Sequence, residues 1–226
     1  MFIIKKLFIN RFFCVVVTNM SNCSKALGKI IQWLKQGSPN SKKLIDFPWE
    51  VEEENGVYKA VNPMFPISIY ISCDDVIGVV RLQTPLDFET ITMSKNERLL
   101  LYYKLLRLSI APMIKYVLVG DEAVPTIVVD LSVKTLGKNE FNDALAMHLA
   151  AINAIIRELG LEEKYKSKLF LELLSLVKKH LEEGWGREKL VEYLVKYARI
   201  NKEQAKEIIE ALLKEVVGRS ESNIYA

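Results

Sequence analysis
The chain has 226 residues with 31 Lys+Arg against 28 Asp+Glu, a formal charge of +3, and is 50% hydrophobic and 26% charged. That composition describes a globular protein of one or two domains, long enough to bury a core without help from disulfides or metals. Residues 1–19 contain Lys5, Lys6 and Arg11 and no acid, so residues 20–226 sum to zero, which removes the simplest case for a basic nucleic-acid-binding face.

The leader resembles a signal peptide in part, with Lys5 and Lys6 ahead of Leu7-Phe8-Ile9 and of the run Phe12-Phe13-Cys14-Val15-Val16-Val17. Arg11 splits the apolar stretch and no small-x-small cleavage site follows. Neither half approaches the roughly 18 apolar residues of a membrane span. A disordered tail, or translation that begins at Met20, is favoured over a signal. Cys14, Cys23 and Cys73 are odd in number, scattered and without C-x-x-C spacing, so the sequence signals neither a disulfide framework nor a zinc site. Cys73 reads as a small buried hydrophobe. The expectation is a reducing compartment and a cytoplasmic protein.

From Ser21 or Asn22 as N-cap, Leu27, Ile30, Ile31 and Leu34 recur at helical spacing until Gly37-Ser38-Pro39. Residues 47–54 and 57–61 flank Asn55-Gly56, a hairpin signal because both residues tolerate positive φ. Residues 67–71 alternate with period two, and Asp74-Asp75 separates them from an apolar run over 76–82, giving a meander of three to four strands.

The period then changes. Ser94 with Glu97 makes a capping box, and Leu99, Leu100, Tyr103, Leu106 and Leu108 carry a helix to about Ser109. Residues 113–119 and 126–133 make a second hairpin around Gly120-Asp121-Glu122 and Pro125. Gly137 opens a helix through Phe141, Leu145, His148, Leu149, Ile152, Ile155 and Ile156, closed by Gly160. Its alanines allow close approach to a sheet or another subunit.

Residues 20–160 therefore read as helix, three or four strands, helix, two strands, helix. This is an α+β class with an antiparallel sheet of five to six strands and packed helices. That order, with the Leu105-Leu106-Arg107-Leu108-Ser109 helix end similar to a Leu-Leu-x-x-Asn ending, resembles the type III secretion chaperone-like fold, which includes the YbjN family. Ser109 stands where the pattern prefers Asn, and an extra strand and a helical tail also depart from it. The resemblance implies a dimerising, non-enzymatic module that presents a surface to a client protein.

Residues 161–226 form a different unit, a C-terminal three-helix bundle. Tyr165, Leu169, Phe170, Leu173, Leu174, Val177 and Leu181 line its first helix, closed by Gly184-Trp185-Gly186. Leu190, Val191, Leu194, Val195 and Ala198 line the second. Asn201 and Gln204 box the start of the third, whose stripe is Ala205, Ile208, Ile209, Leu212 and Val216, and fraying is expected after Gly218. The break at 198–201 has helix-turn-helix spacing. The third helix, however, sets Glu203, Glu207, Glu210 and Glu215 beside Lys202, Lys206 and Lys214, which suits a solvated face with pairs such as Glu192-Lys196 and Glu210-Lys214.

Catalytic signals are sparse. Phosphate-cradling, nucleophile-elbow and H-E-x-x-H patterns do not occur, and no catalytic, cofactor-binding or metal residue is assigned. His148 and His180 are far apart in the sequence and sit near apolar stripes, as packed histidines do. Asp74-Asp75 and Asp121-Glu122 fall in turns. Asp130, the one acid inside an apolar strand run, would need a partner such as Lys134 or Arg107 if buried. Trp185 reads as a hinge-anchoring core residue, and Tyr102, Tyr103 and Trp33 as candidate exposed anchors. The function expected is a non-enzymatic, chaperone-like or adaptor-like module that forms a homodimer through the α+β domain. The alternative is a nucleic-acid-associated regulator using the tail.

Overall fold
The computed structural model describes residues 22–38, 41–47, 49–62, 65, 67–198 and 200–222; the leader, Met20, Ser21, Cys14 and Pro39 lie outside them. The elements in chain order are α1 (Asn22–Gln36), a 3-10 turn (Leu44–Asp46), β1 (Glu50–Glu54), β2 (Val57–Val61), β3 (Ser68–Asp74), β4 (Val79–Pro85), α2 (Lys95–Leu108), β5 (Ile114–Val119), β6 (Val124–Ser132), α3 (Lys138–Glu158), α4 (Glu162–Glu182), α5 (Arg187–Ala198) and α6 (Lys202–Ser222). The protein is α+β, as expected, with one open sheet in the order β1-β2-β3-β4-β6-β5. Strands that follow each other in sequence are antiparallel where joined by a hairpin, and β4 also pairs antiparallel with β6.

The turn chemistry sets the strand ends. Asn55 and Gly56 both have positive φ, 55° and 77°, the pair of left-handed residues that closes a tight hairpin without splaying its strands. The expected strand over 76–82 starts late, because the Asp74 carboxylate accepts the Val76 and Ile77 amides and Gly78 turns at φ 65°. Val76 and Ile77 are therefore exposed turn residues, and β4 extends to Pro85. Pro125 lies inside β6 instead of in the preceding loop; it stands second in the strand, and its carbonyl accepts the Leu86 amide.

The described residues divide into two compact units. The first comprises those up to Ile30 with Tyr70–Leu159, and the second comprises Ile31–Ile69 with those from Gly160 onward. In the first unit, Val80, Leu82, Ile127, Val129 and Leu131 are buried on one face of β4 and β6, as the antiparallel register requires of residues that share a side. Helix α3 packs on β6 and β5 with Phe141, Leu145, Ile152 and Ile155 buried. Cys23, in the first turn of α1, is disulfide-bonded to Cys73 of β3, with the Cα atoms 5.6 Å apart. This corrects the expectation that the cysteines carry no disulfide and that Cys73 is a plain core hydrophobe. The two positions lie 50 residues apart in sequence, and only the folding of α1 against β3 brings them together.

In the second unit, Leu174 and Val177 of α4, Leu190, Val191 and Leu194 of α5, and Ala205, Ile209 and Leu212 of α6 form one buried cluster, the three-helix arrangement expected from the stripes. The Asn201 carboxamide oxygen accepts the Gln204 amide at 2.8 Å, with the reciprocal contact at 3.4 Å, so the capping box forms. Glu210 pairs with Arg187 of α5, not with Lys214. Helix α6 runs on to Ser222 past the expected fraying point, since backbone hydrogen bonding can carry a helix beyond the end of its apolar stripe.

Candidate protein-interaction surface
Helix α2 begins as its sequence demands. Ser94 Oγ accepts the Glu97 amide at 3.4 Å and the Glu97 carboxylate accepts the Ser94 amide at 3.0 Å, which satisfies two of the helix's orphan donors. That hydrogen bonding also holds the Glu97 carboxyl below its usual range. The Arg98 guanidinium donates to the Ile91 and Met93 carbonyls and fixes the preceding loop. At the other end Ser109 is the C-cap, its amide donating to the Leu105 and Leu106 carbonyls and its hydroxyl to Leu105 O at 3.0 Å. Lys104 reaches the Glu158 carbonyl at the end of α3 at 2.7 Å, which ties α2 to α3.

The face that α2 buries is not the one its sequence stripe suggests. Leu101 and Leu105 are buried, whereas Leu99 is 67%, Tyr103 57% and Leu106 73% exposed, with Leu100 exposed beside them. Positions 99, 103, 106 and 110 repeat at helical spacing and share one side, and Ile110, just past the helix, is 91% exposed. Helix α2 is thus apolar on two opposite faces, only one of which is covered. Further exposed apolar residues follow α2 in the chain, Met113 and, in β5, Val117 and Leu118, and β5 is an edge strand of the sheet. Arg107 borders the stripe, its guanidinium 5.9 Å from the Tyr103 ring centroid. Of the expected anchors, Tyr103 is exposed, Trp33 is half-buried, and the half-buried Tyr102 hydroxyl lies 3.1 Å from Thr90 Oγ1.

The remaining candidate residues sit apart from this face. Asp130 is paired with neither Lys134 nor Arg107. Its carboxylate takes two hydrogen bonds from Arg81 of β4, at 2.7 and 3.0 Å, and one from Lys115 of β5 at 2.8 Å. Partial burial pushes its carboxyl up, but those cations outweigh burial and hold it below the usual carboxylate range. The cross-strand register explains the set, since Arg81 lies directly opposite Asp130 and Lys115 stands on the same face.

His148 is fully buried with Nε2 2.9 Å from Thr84 Oγ1 and Nδ1 unpartnered, and burial pushes its pKa down to about 4. It is neutral near pH 7 and bonded to the sheet. His180 places Nδ1 2.9 Å from Glu183 and stacks on Trp185 at 3.9 Å, with the Tyr193 ring edge-on. Lys189 lies 3.9 Å over the Trp185 ring, and the Tyr193 hydroxyl bonds Glu50 of β1. This cluster fixes the α4–α5 joint and leaves Trp185 only half-buried. Asp74 and Asp75 act in turns, Asp75 accepting the Cys23 amide at 3.4 Å, and Asp121-Glu122 lies in the β5–β6 turn. Among the described residues no group of three or more His, Cys, Asp and Glu is placed to hold a metal ion, and no helix is long and apolar enough to cross a membrane.

Comparison with known proteins places the chain in a family. Residues 29–159 match the family described as Domain of unknown function (DUF8183), and the chain belongs to it. Residues 160–226 match a second model, named HTH_78 and also described as a domain of unknown function. No curated protein sequence matches the chain. Among solved structures it is similar to E. coli YbjN, at 16% identity over 61% of this chain and 93% of that one, with a TM-score of 0.43. It is also similar to a chain of the HopA1-SchA chaperone-effector complex, at 13% identity over 43% of this chain and 73% of that one, with a TM-score of 0.33.

Proposed function
We propose that this protein is a non-enzymatic interaction module, chaperone-like or adaptor-like in action, that docks on a protein through the exposed face of α2 and the adjoining edge of β5. The observation that carries the reading is the second apolar face of α2, with Leu99, Leu100, Tyr103 and Leu106 all exposed. Fully burying one such side chain is worth about 1.5–3 kcal/mol, so covering a stripe of four gains an amount of the same order as the cost of association. The edge strand β5 offers further backbone donors and acceptors for pairing.

The partner in this proposal is a second copy of the chain, giving a homodimer through the α+β region. Domain limits of 20–160 and 161–226 belong to the same proposal, with the helical tail as a second docking element. So does a cytoplasmic setting, although the Cys23–Cys73 bond removes the thiol argument for it. The nucleic-acid reading is less favoured, because exposed Glu203, Glu207 and Glu210 share α6 with its lysines. Light scattering over a dilution series tests the proposal: a mass that falls from dimer to monomer supports it, and a monomer at every concentration overturns the homodimer. Salt-sensitive retention of the full chain on heparin would instead favour nucleic acid.

A further inference from the structure
Two contacts tie Cys23, in the first turn of α1, to β3 and the turn after it. One is the disulfide from Cys23 to Cys73, and the other is the 3.4 Å hydrogen bond from the Cys23 amide to the Asp75 carboxylate. No acidic residue lies in that first turn to favour its exposed amides, so Asp75 supplies the negative charge from outside the helix. Cys23 is buried, whereas Cys73 is half-buried near the end of its strand. The two residues of one bond therefore differ in exposure.

We propose that Cys23–Cys73 is a thiol–disulfide exchange site, oxidised in the native protein, whose reduction by a dithiol releases the first turn of α1 from the sheet. One thiolate of the dithiol attacks Sγ of Cys73, the more exposed residue, and forms a mixed disulfide. The Cys23–Cys73 bond breaks, and Cys23 Sγ leaves with the electron pair and takes up a proton. The second thiol of the reductant, deprotonated, then attacks its own sulfur in the mixed disulfide. Cys73 is released as a thiolate that is protonated in turn. The chain gains two electrons and two protons, and the dithiol ends as a disulfide. What remains between Cys23 and the turn after β3 is the long, part-buried hydrogen bond to Asp75, weaker than the covalent tie it accompanied.

The test uses the full chain carrying Cys14→Ser, so that Cys23 and Cys73 are its only sulfurs able to pair. It is equilibrated with graded ratios of reduced and oxidised dithiothreitol, quenched with acid, alkylated and mapped by peptide mass. Amide exchange is read on both end states. The expected result is one two-electron conversion, with exchange at residues 23–27 rising about tenfold on reduction while residues 141–156 of α3 stay protected. Three results would each overturn the proposal: free thiols at every ratio, a bond that no ratio reduces in the folded chain, or equal exchange at 23–27 in both states. Cys73→Ser gives the reduced-like exchange pattern without any reductant, and the oxidised-like pattern in that variant would also contradict it.

Discussion
Leu105 and Leu106 are adjacent in the chain but lie on different faces of α2: Leu105 is 6% exposed against the body of its unit, and Leu106 is 73% exposed. Truncating Leu105 removes buried methyl groups and leaves a cavity, so Leu105→Ala should cost about 2–4 kcal/mol in urea denaturation. Leu106→Ala should change the stability of the dissociated monomer by no more than about 0.5 kcal/mol. Equal losses at the two positions would show that both faces are already covered within one chain.

The capping box at the start of α2 makes a local prediction. Ser94→Ala leaves the Glu97 amide without its acceptor and should cost about 1 kcal/mol, read as a lower denaturation midpoint at unchanged slope.

His148 couples stability to pH. Its pKa is pushed down to about 4 in the folded chain by burial, against an ordinary value near 6.5 in the unfolded one. The unfolded state therefore takes up a proton first as pH falls. The stabilisation is complete above about pH 6.5, declines toward pH 4 and falls no further below it, about 3 kcal/mol in all. His148→Gln can still bond Thr84 but does not titrate, so the difference between the two denaturation curves should shrink by that amount between pH 7 and pH 4. Parallel pH profiles would count against the account.

Asp130 has the same sign in a more acidic window. Its folded carboxyl lies below the usual range, held there by Arg81 and Lys115 against partial burial. Its contribution is present above the ordinary carboxylate pKa and is lost as pH falls through the folded value. Because the cluster is on a solvent-facing side of the sheet, Asp130→Asn should cost only about 1 kcal/mol at pH 7, less at high salt, and nothing once the wild-type carboxyl is protonated.

The disulfide closes a long loop, and the chain-entropy account assigns about 4 kcal/mol to a closure of this span. Cys73→Ser should therefore lower the denaturation midpoint markedly, and wild-type protein in excess reductant should unfold with the same midpoint as the variant.

Local chemistry was legible wherever one or two residues decide a conformation. Asn55-Gly56, the Ser94–Glu97 box, the Asn201–Gln204 box and the glycines closing α1 and α3 all act as read, since φ preference and side-chain reach are properties of the residues themselves. Which face of α2 is buried was not legible. Its leucines and tyrosines sit on both sides, so periodicity offers two stripes and only packing on α3 chooses between them. The partners of Asp130 and the Cys23–Cys73 bond were hidden for another reason, because each joins residues on different elements, the first through strand register and the second through the placement of α1 against β3.

The central claim is that the outer face of α2 is an interface. The most direct measurement is the mass by light scattering of the full chain against the double variant Leu99→Glu/Leu106→Glu, with circular dichroism confirming that both are folded. The account predicts a wild-type dimer and a folded monomeric variant, because two charges placed in the stripe cannot be buried unpaired. A wild-type monomer, or a variant that dimerises as tightly as the wild type, would contradict it.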